Sequence, residues 1–324
     1  MDSRLLELLK KITPEEQMIL AGNSTVQRNL YTSNEDFIID SNKMLEKGKI
    51  IDIRPHTRFV HFPKHRHNYI EITYMCSGTT THIINGDTNM VLKMGDLLIM
   101  NQNVTQEILP ASFDDIAVNF IVLQQFFDPA YTMLSGESVL RDFLIGTLQQ
   151  NSGPVSYLHF QTEGILPIQN LVENLIWSIS NPTHNSRTIN QTTMGLLFLQ
   201  LVNFSDKLNQ NDPKHYETNI VFTAFKYIEE NYKTATLEEF SAMMKLPSYY
   251  VSKLIKKNSE YTFKKFLQRK RLNQATYLLT NTLIPVENII YLVGYNNNSY
   301  FHRLFKDEYK MTPKQYRQCN KILL

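Results

Sequence analysis

Residues 65–74 read His65-Arg66-His67-Asn68-Tyr69-Ile70-Glu71-Ile72-Thr73-Tyr74, placing two imidazoles and a carboxylate within one short stretch. Three uses of such a set are open. Neutral His65 and His67 with ionised Glu71 suit a divalent metal, as in a 2-His-1-carboxylate centre. The same groups, as donors and acceptors in a pocket, can hydrogen-bond a small polyhydroxylated ligand. They can also satisfy one another as a structural network at the mouth of a barrel. Tyr69 and Tyr74 on the same stretch offer faces on which a sugar ring stacks, although such rings also serve as plain core. The cysteines add no rival site: Cys76 and Cys319 are distant and lack metal or redox spacing, as in a reducing cytoplasm.

The elements that must position these groups are legible around them. After Ile50 come short β-branched and aromatic runs at 70–75, 81–84 and 96–100, broken by Ser77-Gly78, Asn85-Gly86-Asp87 and Met94-Gly95. Such turns at that spacing predict an antiparallel sandwich or barrel. Ahead of it, Leu5, Leu6, Leu8 and Leu9 predict a short helix, and Thr13-Pro14-Glu15-Glu16 the capped start of another. From about Ser138 the pattern becomes helical. Ile168, Leu171, Val172, Leu175, Ile176 and Ile179 form an apolar stripe that Asn181-Pro182 ends. Over 188–208, Met194, Leu197, Leu201, Phe204 and Leu208 recur like a coiled-coil seam, with Phe198, Leu199 and Val202 as a second apolar face. A helix with two apolar faces buries one on its own domain and the other on a partner subunit, unless it is wholly internal. Polar Asn209-Gln210-Asn211-Asp212-Pro213-Lys214 reads as a linker.

Beyond it, Ile220, Phe222, Phe225, Ile228 and Tyr232 open a helical region. Thr236-Leu237-Glu238-Glu239 predicts a capping box, with Leu237, Phe240 and Met244 following at helical spacing. Pro247 and Ser248 lead into a second helix with Val251, Leu254 and Ile255 inward and Tyr249, Ser252 and Lys253 outward. Thr262 caps a longer helix through Phe266, Leu267, Leu272, Ala275 and Leu278, carrying Arg269, Lys270 and Arg271. A second pair follows. Val286, Ile289, Ile290 and Val293 behind Pro285 predict one helix, Gly294 a stop needing φ > 0, and the Asn run a cap for Tyr300-Phe301-His302-Arg303-Leu304-Phe305. Phe301, Leu304 and Phe305 face inward, leaving Asn298, Ser299, His302 and Arg303 outward. A helix-turn-helix presents the start of its second helix to base edges in this way.

Val293-Gly294-Tyr295, then Ser299 to Lys306, then Met311-Thr312-Pro313-Lys314-Gln315-Tyr316-Arg317 resemble the C-terminal signature of the AraC/XylS transcription regulators, over roughly the last hundred residues. The resemblance implies two helix-turn-helix motifs held on the long helix, about one DNA turn apart. It implies base contacts from Tyr249, Ser252, Lys253, Asn298, Ser299, His302 and Arg303, with Lys256, Lys257 and Lys306 on phosphates. It implies promoter DNA and RNA polymerase as partners, a homodimer joined through helices behind the barrel, and activation of transport or catabolic genes, most often for a sugar.

His65, His67, Glu71 and Gly78 also resemble the first cupin motif. The second is half present: Gly95-Asp96 stand in place, but Gln106 occupies the position of a fourth ligand and Asn101 that of the usual proline. Gln is a poor substitute for imidazole at a transition metal. No metal or cofactor is expected, and His65, His67, Tyr69, Glu71 and Gln106 are the candidate effector contacts.

Size and charge agree with this division. From Glu217 onward 17 Lys and Arg stand against 9 Asp and Glu, a balance of +8, whereas the preceding part holds 16 against 22, a balance of −6. A basic end behind an acidic body suits phosphate binding at one end. The first residues carry acids where a signal peptide needs a basic flank, and no apolar run approaches the roughly 18 residues of a membrane span. The expectation is a cytoplasmic α+β protein of two domains. A cupin-like antiparallel barrel at about 50–130 with helices at about 135–210 makes a sensing and dimerising domain over 1–210, and an all-α DNA-binding domain covers 217–324. Two rival readings are a metal-dependent cupin enzyme on a DNA tether, and a structural barrel under the control of a protein partner.

Overall fold

The computed structural model describes residues 1–127, 156–204, 213–258 and 262–320, and they fall into two compact units with the change between 204 and 213. The expected helical onset near Ser138, and residues 209–212 of the expected linker, lie outside the described residues. Pro213 and Lys214 already belong to a helix.

In the first unit, α1 (Ser3–Lys10), α2 (Pro14–Leu20) and the short α3 (Ser41–Met44) surround the strands. Thr13 completes the expected capping box on α2: its side chain accepts from the Glu16 amide while the Glu16 carboxylate accepts from the Thr13 amide. Glu16 also pairs with Arg58, both fully buried, at 2.7 Å. Arg58 donates further to the carbonyls of Lys10 and Phe113, which fastens the N-terminal helices to the barrel. A buried charge pair of this kind holds because each guanidinium nitrogen finds an acceptor.

The strands are β1 (Ile38–Ile39), β2 (Ile51–Pro55), β3 (Phe62–His67), β4 (Ile70–Ser77), β5 (Thr79–Ile84), β6 (Thr88–Lys93), β7 (Asp96–Met100), β8 (Gln106–Ile108), β9 (Ile116–Val122) and β10 (Tyr157–Gln161). They form two five-stranded sheets, ordered β1-β3-β8-β5-β6 and β10-β7-β4-β9-β2. Two boundaries differ from expectation. The barrel starts before residue 50, because β1 adds to β3 in parallel, the one non-antiparallel pairing among the described strands. It also continues past residue 130, because β10 pairs along β7 from Tyr157 opposite Met100 to Gln161 opposite Asp96. The strand is short, and the helical stripe that follows masked it.

Behind the sheets, α4 (Leu166–Ser180) packs against α5 (Ser186–Asn203). Ile168, Val172, Leu175 and Ile176 are fully buried on α4, while Leu171 and Ile179 of the expected stripe are half-buried. On α5 the face with seam-like spacing is turned inward. Met194, Leu197 and Leu201 are buried in their own domain, Phe204 is half-buried, and Leu208 lies outside the described residues. Phe198 joins the same core through an edge contact with Phe127. Among the described side chains of α5, Ile189, Leu196 and Leu199 leave apolar surface open, and Val202 of the expected second face lies outside them. Sequence spacing registered two faces but not which of them the domain covers.

Among its described residues the second unit is all helical: α6 (Pro213–Asn231), α7 (Leu237–Met243), α8 (Ser248–Asn258), α9 (Phe263–Asn281), α10 (Val286–Leu292), α11 (Asn298–Tyr309) and α12 (Pro313–Asn320). Thr236 caps α7, but only half of the expected capping box forms. Glu239 turns its carboxylate to the Tyr227 hydroxyl instead, at 2.7 Å. Gly294 has φ +90°, the conformation expected of the stop between α10 and α11, and the Asn297 side chain caps α11 by accepting from the Tyr300 amide.

Candidate functional site

In the barrel, strand pairing gathers groups distant in sequence. β3 places His65 opposite Gln106 of β8, and β8 places Gln106 opposite Ile84 of β5, two residues from His82. From the other sheet, β4 brings Glu71, and β9 pairs Asn119 with both Thr73 and Arg54. His65, His67, Tyr69, Glu71 and Gln106 all line one cavity, so every expected effector contact converges there. Tyr74 does not line it: side chains alternate along β4, and Tyr74 is buried on the face opposite Glu71.

Sequence reasoning missed Tyr31, Arg54, His56, Asn119 and His82. The first four share the lining, and His82 stands directly behind Gln106. Tyr31, with Ile39 of β1 and Met44 of α3, reaches the cavity from the chain ahead of β2. A signal existed for His82. A lone imidazole at an inward position of the 81–84 run is polar where the strand needs core.

The polar groups form an ordered chain. Thr80 Oγ1 lies 3.0 Å from His82 Nε2, His82 Nδ1 lies 3.2 Å from Gln106 Oε1, and Gln106 Nε2 donates to Glu71 Oε2 at 2.7 Å. The amide nitrogen of Gln106 can only donate, so its oxygen accepts from His82 Nδ1–H, and His82 Nε2 accepts from the Thr80 hydroxyl. The direction of every bond follows. From the sheet that carries Glu71, Thr73 donates to Asn119 Oδ1 at 3.1 Å, and Asn119 Nδ2 reaches His56 Nδ1 at 3.4 Å. His56 therefore keeps its proton on Nε2.

Two atoms are left over. His56 Nε2 and His67 Nε2 are buried without a hydrogen-bond partner. His67 Nε2 stands 3.4 Å from Glu71 Oε1, too far for a good bond. Burial holds the imidazoles neutral: His56 and His65 are pushed down to about 4, His82 to about 3, and His67 well below the usual range. Burial pushes Glu71 up to about 7, only partly opposed by the Gln106 hydrogen bond. Among the described residues, no three His, Cys, Asp or Glu side chains converge as metal ligands. The Gln106 amide points its donor at Glu71, where a metal would require a lone pair.

The helical unit presents the opposite surface. On α8, Tyr249, Lys253 and Lys256 are exposed and Ser252 is half-buried, while Val251, Leu254 and Ile255 are buried. Lys257 is tied to Glu217 at 2.7 Å. On α11, Ser299, His302, Arg303 and Lys306 are exposed, with the Arg303 guanidinium 5.6 Å from the centre of the Tyr300 ring. Asn298 departs from expectation: it is half-buried, and its Oδ1 is buried without a partner. Lys270 and Arg271 of the long helix are engaged internally. Lys270 pairs with Glu229, and Arg271 donates to the Tyr232 and Lys233 carbonyls. α9 has 19 residues and so runs roughly 28 Å between the two helix-turn-helix motifs.

A barrel enclosing a cavity with unfilled hydrogen-bonding capacity, followed by paired helix-turn-helix motifs, defines a ligand-binding DNA-binding protein. The comparisons agree: residues 50–151 match an AraC-like ligand binding domain and residues 240–318 a helix-turn-helix domain. The chain belongs to the AraC family of transcription regulators. The transcriptional activator RhaR of Mannheimia succiniciproducens is 23% identical over 261 residues, 79% of this chain and 87% of that protein. RhaS of the same organism is 26% identical over 258 residues, 79% and 89% of the two chains. The regulatory protein PocR of Salmonella typhimurium is 32% identical over 96 residues, 29% of this chain and 32% of its own. The family is one of regulators rather than enzymes, which removes the reading of the barrel as a catalytic cupin. No helix among the described residues is long and apolar enough to cross a membrane.

Proposed function

We propose that the chain is a cytoplasmic, effector-responsive activator whose barrel takes a small polyhydroxylated ligand, a neutral sugar, between His67, Glu71 and Gln106 on one side and His56 on the other. The observation that carries this is the pair of buried imidazole nitrogens without partners. An unsatisfied buried polar atom costs about 1–3 kcal/mol, and a bound hydroxyl relieves that cost. The Nε2–H of His56 donates, Glu71 Oε1 accepts, and a hydroxyl is the group that serves both. The cavity has room for only a few water-sized groups, so a sugar ring enters when rim side chains such as Met44 and Arg54 move.

In the same reading, Tyr249, Ser252, Lys253, Ser299, His302 and Arg303 contact bases, and Lys256 and Lys306 contact phosphates. Two chains pair through the open face of α5, at Ile189, Leu196 and Leu199, rather than through the buried seam. The relatives named as activators support activation, and with it a contact to RNA polymerase. The test is a thermal-shift panel of neutral mono- and disaccharides with and without a chelator, because a ligand of the folded state raises its melting temperature. A saccharide that raises it equally in both conditions is the expected result. A shift abolished by chelator would replace hydrogen bonding with metal binding, and no shift across the panel would remove the sugar.

A further inference from the structure

We propose that the two DNA-reading motifs are latched to each other at one junction, and that Arg271 is the positioning residue of that latch. The protein then reads two blocks of bases at a single fixed separation. The inference rests on the reading of α8 and α11 as the base-contacting helices and adds what sets their spacing.

The long helix α9 joins the two motifs, but it does not by itself fix their relative orientation. Between α9 and α10 the backbone at 282–285 is irregular, so the second motif could swing on it. Two arginines brace the motif on either side. Arg317 of α12 donates from Nε to the Leu279 carbonyl at 3.1 Å and from Nη2 to the Ile284 carbonyl at 2.6 Å, which holds the irregular segment to the end of α9. Arg271 acts across the motifs. From α9 it donates through Nε to the Tyr232 carbonyl at 2.7 Å and through Nη2 to the Lys233 carbonyl at 3.0 Å, in the turn that leads from α6 into the first motif. Its guanidinium also lies 5.3 Å from the centre of the Tyr295 ring, in the turn of the second motif.

The two turns touch directly as well. A Cβ added to Gly294 would stand 2.9 Å from Lys233 Cα, with the Lys233 carbonyl oxygen nearer still, so only glycine lets these backbones meet. The ring of Tyr232, which follows α6, packs against the core cluster of the second motif, which includes Leu272, Ile289, Val293 and Tyr295. The planar guanidinium suits this role because its fork satisfies two carbonyls while its face meets an aromatic ring. The charge also sits at the C-terminal end of α6, where the helix dipole favours a cation. Lysine can reach one of these partners but not bridge all three.

The test uses the full chain and a library of random DNA duplexes, from which bound sequences are selected with the wild type, Arg271→Met and Arg271→Lys. The wild type should enrich two base blocks at one separation. Both variants should enrich the same two blocks at separations that differ by a base pair or more. Affinity for the wild-type sequence should fall about tenfold, while affinity for a duplex carrying one block stays within about twofold. A merely structural role would weaken one-block and two-block binding together and leave the separation unchanged; either result overturns the latch. Arg271→Lys guards against misfolding of Arg271→Met, because it keeps the charge and removes only the bridge, and a single retained separation in a folded Arg271→Lys also overturns it. A wild type that enriches no sequence would instead break the underlying assignment of α8 and α11, and the latch with it.

Discussion

In the barrel, His56, His65, His67, His82 and Glu71 are withdrawn from water, whereas in the helical unit Tyr249, Lys253, Lys256, His302 and Arg303 stand in it. The difference follows from the partners. A small neutral ligand is held by a few directed hydrogen bonds, which gain strength only where water is excluded, so the site carries the cost of burying polar groups before the ligand arrives. DNA brings a field of phosphates, and a protein meets it with exposed cations that remain charged over the whole physiological range. The histidines of the cavity are thus enclosed and neutral, whereas His302 of the reader is open to solvent.

The largest expected effect is on stability in acid. His56, His65 and His82 titrate at about 4, 4 and 3 in the folded barrel against 6.5 when unfolded, so the unfolded chain binds more protons and stability falls as pH drops below 6.5. His67 acts in the same direction. Glu71 opposes them, because its raised value lets the folded state keep a proton between 4.5 and about 7. Each group contributes at most about 1.4 kcal/mol per pH unit, and because the histidines outnumber the glutamate the barrel loses on the order of a few kcal/mol between pH 7 and 5.5. Calorimetry at pH 7 and 5.5 should show the barrel transition collapsing while that of the helical unit holds; parallel movement of both would break the contrast.

Next comes the inward seam. Leu201→Glu places a charge where the side chain is fully buried, and the barrel transition should be lost, at a cost of roughly 4 kcal/mol or more. Leu196→Glu, at a position 43% exposed, should leave the fold intact and give a monomer by light scattering. A folded Leu201→Glu, or a dimeric Leu196→Glu, would return the contact to the original seam.

Two smaller effects separate sensing from reading. His67→Ala should lower effector affinity by about 1–3 kcal/mol and leave DNA affinity without effector unchanged, as titration calorimetry and a mobility-shift assay would show. Arg303→Ala should cost about 1–3 kcal/mol at one base position, whereas Lys256→Ala should weaken all sequences alike and reduce the salt slope by about one. A DNA defect in His67→Ala, or base-independent loss in Arg303→Ala, would blur the division.

Much of this was legible in the sequence, because the informative signals were local. Gly294 and Asn297 mark a stop and a cap within a few residues of each other, and His65, His67 and Glu71 lie within seven residues of one another in the sequence. What escaped depends on pairing at long range. His82 and Asn119 join the site only through registers that no local pattern encodes, and β1 pairs with a strand almost thirty residues on. Arg271 looked like surface because its partners are backbone carbonyls, which leave no side-chain signature. The same limit hid which apolar face of α5 is covered.

The central claim is that the two unpartnered imidazole nitrogens receive the effector. Long-range proton–nitrogen spectra of the histidine rings, recorded on the full chain while the saccharide that raises its melting temperature is added, test it directly. The account predicts that the Nε2 resonances of His56 and His67 move to hydrogen-bonded positions as the ligand binds, while those of His302 stay where they are. Saturating ligand that leaves both His56 and His67 unmoved would contradict it.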